Sequence, residues 1–307
     1  MATQIRFGGY QSAASVHTRA IGVFARALEH RLGDDVAVRV TANVAALGHK
    51  AAGLLQLVES GALDMCYFSS SYLAERAPAL GVFDLPFVVA ARAPLYAALD
   101  GALGARLQAA IAEATGYLAL AFWDNGIRHL SNRARPIRRP ADCVGLRLRT
   151  QHNAFHQEVF RALGFEPLAI DPSELPAAVR AGRVDAQENP LTNLVNFGIY
   201  EHHPYVTLSG HLFGVAPVLV NRERHEAWPE PVRAGVQAAL AEATAAQRGF
   251  AQADDVTCLA RLAEAGSQVL ELSAPERAVF TAAVAPVVDA ARARLDPGVL
   301  DLLRTAA

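Results

Sequence analysis

Apolar and polar positions along this chain alternate in two rhythms. Ile5-Arg-Phe7 is a short strand. Ser15 to Leu32 then places Val16, Ala20, Val23, Phe24, Ala27 and Leu28 at helical spacing, with Gly33 standing where a helix C-cap belongs. Val36–Val40 is a second strand, His49–Ser60 a second helix stopped by Gly61, and Leu63–Phe68 a third strand. This alternation predicts a mostly parallel sheet with helices on its faces. A helix from Pro94 to Ala114 and a strand at Tyr117–Phe122 follow.

The pattern restarts near Asp124. Ile127–Asn132 is strand-like and leads into a basic, Pro-punctuated loop, Asn132 to Pro140. Leu146–Arg149, Pro167–Ile170 and Val184–Glu188 are strands, separated by helices at His152–Leu163 and Ser173–Ala181. These form a second sheet system. Ser209–Val220 reads as a crossing segment and a strand that returns to the first sheet. Pro231–Gly266 contains no further Pro and predicts a helix about 50 Å long at 1.5 Å per residue. That is too long for one lobe, so it is expected to lie across both, bending near Gly249. Gln268–Leu272 is a late strand and Pro275–Leu303 a terminal helical region. The expectation is therefore an α/β fold of two mixed sheets flanked by helices. Lobe I takes 1–124 plus 213–252, and lobe II takes 125–212 plus 253–307.

Composition narrows the function. At 307 residues, 52% hydrophobic and 19% charged, the chain can bury two substantial cores. Its 28 Lys and Arg against 30 Asp and Glu leave no basic footprint for nucleic acid or an anionic membrane. Cys66, Cys143 and Cys258 form neither a CxxC pair nor a disulfide framework. No apolar run approaches 18 residues, and MATQIRFGGY has no signal-peptide pattern, so the chain is either cytoplasmic or begins after a removed leader.

His152 and His156 stand four apart on a predicted helix, a zinc-like spacing, but HExxH would need a Glu after the first and no third ligand is evident. The alternative is that His152 lines a cleft and His156 lies partly exposed. Ser69-Ser70-Ser71 follows a strand, at the sheet edge where α/β proteins bind ligands, without the context of a nucleophilic serine. No glycine motif for a nucleotide or other cofactor occurs. The informative cluster is basic. Arg128 follows Trp123-Asp-Asn-Gly-Ile, and Arg147 and Arg149 share one face of a strand in Gly145-Leu-Arg-Leu-Arg149. An arginine in an apolar strand needs an anion, and its planar fork suits a carboxylate. A ligand carboxylate and an internal Asp or Glu are both open as the partner.

Val184-Asp-Ala-Gln-Glu-Asn-Pro190, preceded by Glu174 and Ala181-Gly-Arg, closely resembles the signature of the solute-binding proteins of TRAP (tripartite ATP-independent periplasmic) transporters, which include C4-dicarboxylate and sialic acid binders. Further matches run along the chain in order: Leu47-Gly48, Glu59 to Met65, Asp84-Leu-Pro-Phe87, Tyr200-Glu201 and Leu208-Ser-Gly-His211. The resemblance implies a two-lobed periplasmic-binding-protein architecture, a cleft closing on one organic anion, a periplasmic location, and delivery to TRAP membrane subunits by a monomer without enzymatic activity. A cytoplasmic sensor or an enzyme on a similar fold is the alternative. The resemblance places the carboxylate clamp on Arg149, a second basic contact on Arg128, a polar contact on Asn189 and a first-lobe contact near Ser69. Ala186 stands where the family often has Gly, Pro172 where an aromatic is common before Ser-Glu, and Pro176 where Tyr is usual. Tyr10 stands where sialic acid binders carry a small polar residue. Tyr10, Phe87, Trp123 and Phe213 are expected to give the cleft apolar faces, with His152 and Ser69 offering hydrogen bonds. The expected ligand is a monocarboxylate with a 2-oxo or 2-hydroxy group and an apolar or aromatic tail, ahead of a short dicarboxylate and a sialic acid.

Overall fold

The computed structural model describes residues 2–89 and 91–305. Its strands are β1 (Thr3–Gly8), β2 (Val36–Thr41), β3 (Met65–Tyr67), β4 (Tyr117–Asn132), β5 (Arg147–Thr150), β6 (Glu166–Ala169), β7 (Ala186–Pro190), β8 (Tyr205–Asn221) and β9 (Gln268–Glu271). They form one sheet in the order β2-β1-β3-β8-β4-β7-β5-β6, with β9 on β8. The two separate sheets expected are thus continuous. The reason is the length of β4 and β8, which run 16 and 17 residues antiparallel through the middle of the molecule. What reads as two strands broken at Asp124-Asn125-Gly126 is one strand. The break is absorbed by register shifts on β8 between Asp124 and Ile127 and between Arg128 and Leu130. On one side β1 pairs parallel with β2 and β3; on the other β5 pairs parallel with β6 and β7.

Three buried clusters cover this sheet. The first gathers Ile5, Phe7, Phe24, Leu54, Tyr67, Trp123 and Leu219 with Val232–Ala243 of the long helix. The second is built on Leu130, Leu148, Phe160, Phe280 and Val284. The third holds Ile170, Val179, Val184 and Val206 together with Cys258 and Leu262. The helix Glu230–Glu264 therefore supplies the first cluster from one end and the third from the other, as its length demands.

Two other helical expectations divide. The Pro94–Ala114 segment is Arg92–Leu99 and Ala102–Ala114, parted at Gly101, and a Cβ on Gly104 would lie 1.8 Å from the Leu99 carbonyl oxygen. The C-terminal region is Ala274–Arg292 and Pro297–Arg304, the second capped by the Asp296 carboxylate on the Gly298 and Val299 amides. Val299 and Leu303 pack into the first cluster, whereas the expected lobe division placed them in the second lobe.

Candidate functional site

Three arginines enter the strands of the second half, and the structure separates their roles. Arg147, at the exposed start of β5, forms a two-toothed pair with Asp185 at 2.8 Å on each tooth. Arg128 on β4 is 3% exposed and lies diagonally across the ladder from Glu188 on β7. Its Nε donates to Glu188 Oε2 at 2.5 Å, and its Nη2 to the Glu188 carbonyl at 2.9 Å and Asn189 Oδ1 at 3.4 Å. Burial works to raise the Glu188 carboxyl, but the field and hydrogen bond of Arg128, with His211 Nε2 3.6 Å away, outweigh it and hold the group far below the usual carboxylate range. Thr150 donates a further bond to Glu188 at 3.1 Å. Arg128 is a cation already neutralised from within.

Arg149 is different. Leu148 enters the second cluster, and alternation along β5 turns Arg149 away from it. Arg149 is 1% exposed. Its Nε donates to the Ile170 carbonyl at 2.9 Å, its Nη2 is buried without a partner, and no carboxylate among the described residues forms a salt bridge with it. A buried, unpaired guanidinium is expensive.

The groups around it come from both halves of the chain. Tyr10, held between Tyr67 and Phe68 with ring centroids 5.3 and 5.1 Å away, feels the fields of both Arg128 and Arg149. Burial raises its hydroxyl, so it stays neutral. Tyr72, its ring tilted against Phe68 with centroids 4.5 Å apart, has a buried hydroxyl with no partner; burial is the leading cause that pushes it up to about 12, with Arg149, Asp171, Arg128 and Glu188 all acting on it. Ser69 accepts a 3.4 Å bond from Gln151, the residue just beyond β5. Asn189 takes bonds from Arg128 and from Asn193 Nδ2 at 3.1 Å, and Asn193 accepts in turn from Gln11 at 2.9 Å. Gln11 also meets Nδ1 of His17, whose imidazole burial pushes down to about 3.

Arg149, Arg128, Asn189, Ser69 and Tyr10 are thus drawn together, and four aromatic or imidazole positions are not. His152 lies exposed, while His156, expected at the surface, is 1% exposed and engages Asp84 at 2.9 Å, so the two histidines do not converge. The side chain of Asn153 caps this helix, which turns His156 inward and leaves His152 outside its first turn. Trp123 is fully buried, stacks on Phe7 at 6.1 Å and spends its indole N–H on Thr244. Phe213 belongs to the same core, with the Arg92 guanidinium 5.9 Å over its ring. Phe87, at φ 63°, lines a groove with Pro297, Leu300 and Leu303 of the C-terminal helix. Their chemistry alone cannot distinguish core from cleft, because an apolar ring suits both. Sequence reasoning also passed over Tyr72, Gln11, Gln151, Asn193 and Asp171. Only Tyr72 carried a signal, following the Ser69–Ser71 run.

A family model described as bacterial extracellular solute-binding protein, family 7, matches residues 7–294. An uncharacterised protein of Sinorhizobium fredii is 35% identical over 85% of the chain, which spans about half (48%) of that relative's length. The crystal structure of a sugar acid binding protein of Advenella mimigardefordensis in complex with galactonate superposes with a TM-score of 0.94, at 28% identity, over 100% of this chain and 99% of the other. A TRAP periplasmic solute-binding protein of Bordetella, with density assigned to pantoate, gives 0.92 at 28% identity over 99% of both chains.

Proposed function

Since the chain belongs to family 7 of the bacterial extracellular solute-binding proteins, we propose that it captures a small organic acid anion between two lobes and hands it to the membrane subunits of a TRAP transporter. The role is capture and release in the periplasm, without a chemical step. Among the described residues no helix is long and apolar enough to cross a membrane. The observation that carries this reading is Arg149: fully buried, anchored by Nε, and offering an Nη edge that no internal acid neutralises. A ligand carboxylate meets that need with two parallel charge-assisted bonds. Arg128 lends positive potential and orients Asn189, its own charge being met by Glu188. Tyr10, Tyr72 and Ser69 would line the rest of the site. The lobes are proposed as 1–124 with 213–252 and 125–212 with 253–296; the helix Pro297–Arg304 joins the first by its packing.

A monocarboxylate with a 2-hydroxy group suits this arrangement. The clamp holds one carboxylate, Tyr72 supplies an unpartnered hydroxyl beside it, and the Tyr10 and Phe68 rings supply apolar wall. The similar proteins solved with galactonate and with density assigned to pantoate support this class of ligand. The test is calorimetry of the wild type and Arg149→Ala against a panel containing galactonate, pantoate, a short dicarboxylate and neutral sugars. Wild type should bind at least one carboxylate and no neutral sugar, and truncation should cost about 2–5 kcal/mol. Arg149→Lys should remain poor, because an ammonium cannot reproduce the fork. Binding of Arg149→Ala within threefold of wild type would show that the clamp lies elsewhere.

A further inference from the structure

Asp171 follows β6 and hydrogen-bonds to none of the groups assigned above to the ligand, although its field reaches Tyr10 and Tyr72; it is 2% exposed and makes four hydrogen bonds. Two are local: Oδ1 accepts from the Ser173 amide at 2.9 Å and its hydroxyl at 2.6 Å. The other two come from far away in the chain. The Ala51 amide donates to Oδ1 and the Ala52 amide to Oδ2, both at 3.1 Å. Ala51 and Leu54 sit in the first buried cluster, while Ile170 and Leu175 on either side of Asp171 sit in the third. The carboxylate therefore joins the two halves of the molecule. The preceding carbonyl, that of Ile170, is the one that holds Arg149 Nε.

We propose that Asp171 is a positioning residue for ligand capture: it latches the second lobe to the Ala51–Ala52 amides on closure and, through Ile170, sets Arg149 in place at the same moment. The inference rests on the binding-protein reading above. Burial of this carboxylate is tolerable only with the four donors present. Two of them leave when the lobes part, so the closed state gains bonds that the open state replaces with water. The peptide that carries the latch also carries the anchor of the clamp, so closure and orientation of the guanidinium are one event. Nearby, Lys50 and Glu174 also meet across the same gap at 3.2 Å, but both are exposed, and an exposed pair contributes little.

The experiment combines lobe distance and ligand dissociation. The three native cysteines are buried, so spin labels placed through Leu47→Cys and Val144→Cys, at positions 66% and 60% exposed, report the separation of the lobes. Asp171→Ala should shift the distance distribution towards the open form, and Asp171→Asn, which keeps one acceptor oxygen, should fall between. With the tightest acid of the galactonate, pantoate and dicarboxylate panel, Asp171→Ala should bind at least tenfold more weakly, chiefly through faster dissociation. Lys50→Ala should match wild type in both measurements. Identical distance distributions for wild type and Asp171→Ala, with and without the acid, would overturn the latch. Failure of the wild type to bind any acid, with the distances still shifted by Asp171→Ala, would overturn the carboxylate reading and leave the latch standing.

Discussion

Single side chains in this protein sort by where their charge is met. Arg147 and Arg128 find acids within the chain and Arg149 does not, although all three stand in similar apolar contexts. The Arg128–Glu188 pair is the more costly to disturb. Glu188→Gln would leave a buried guanidinium without its counter-charge, a loss of about 3–5 kcal/mol. The pH dependence follows from the direction of the Glu188 shift. Its folded-state pKa is depressed below the unfolded value of about 4.3. The contribution is therefore fully present above that value and is lost as pH falls below it towards the folded pKa. Thermal melts between pH 3 and 7 should show wild type losing its advantage over Glu188→Gln on acidification. A wild-type advantage that stays constant across that range would mean that Arg128 does not hold the Glu188 carboxyl down. The residue scale also shows what a sequence can carry. An Arg in an apolar strand announces a need for an anion. Whether Asp185, Glu188 or a ligand supplies it depends on strand neighbours up to 60 positions away, which no local pattern encodes.

At the scale of elements, the long paired strands β4 and β8 decide the architecture. Their polar and glycine-rich middles look like turns when read alone, because a bulge and a turn use the same residues. The difference lies in the partner strand. Gly126 sits in this bulge at φ 84°, and a Cβ there would stand 2.5 Å from Pro190 Cβ. Its amide donates to Asp124 Oδ1, while Asp124 Oδ2 binds Arg92 at 2.8 Å and the Tyr96 hydroxyl at 2.5 Å. The Asp124 backbone is bonded in both directions to Gln247 of the long helix. The crossing point is thus fastened to that helix and turns on a residue that must be glycine. Gly126→Ala meets both a left-handed backbone, about 1–2 kcal/mol, and a clash with Pro190. It should destabilise by about 2 kcal/mol or more in urea unfolding; an unchanged midpoint would show that the bulge relaxes freely. Helices with clear periodicity, such as Val16–Leu32 and Glu230–Glu264, lie close to where their apolar spacing put them. The helix broken at Gly101 looks continuous in the sequence, because glycine in a helix and glycine between helices are alike until packing is known.

For the whole molecule, the site is completed only where the two halves meet. Gln11 reaches Asn193, Gln151 reaches Ser69, and Asp171 reaches Ala51 and Ala52 across that boundary. Arg149 makes this geometry conditional. Burying its guanidinium without an anion is unfavourable by several kcal/mol, whereas a carboxylate on its Nη edge would remove the penalty. On the proposed function the anion favours the closed arrangement over the open one, which is the only way a ligand can shift such an equilibrium. Moving the population from mostly open to mostly closed takes a differential of about 10⁴-fold, or about 5.5 kcal/mol; on the proposed reading the arginine–carboxylate pair supplies about 2–5 kcal/mol of it and the ligand's other contacts supply the rest. Small-angle scattering should then show the radius of gyration falling when a carboxylate that binds by calorimetry is added to saturation. The fall should be absent in Arg149→Ala at the same ligand concentration, because the ligand carboxylate has lost its charged partner there. A wild-type profile unchanged by a ligand that calorimetry shows to be bound would mean that the lobes do not move, and that Arg149 recruits its anion into a site already closed.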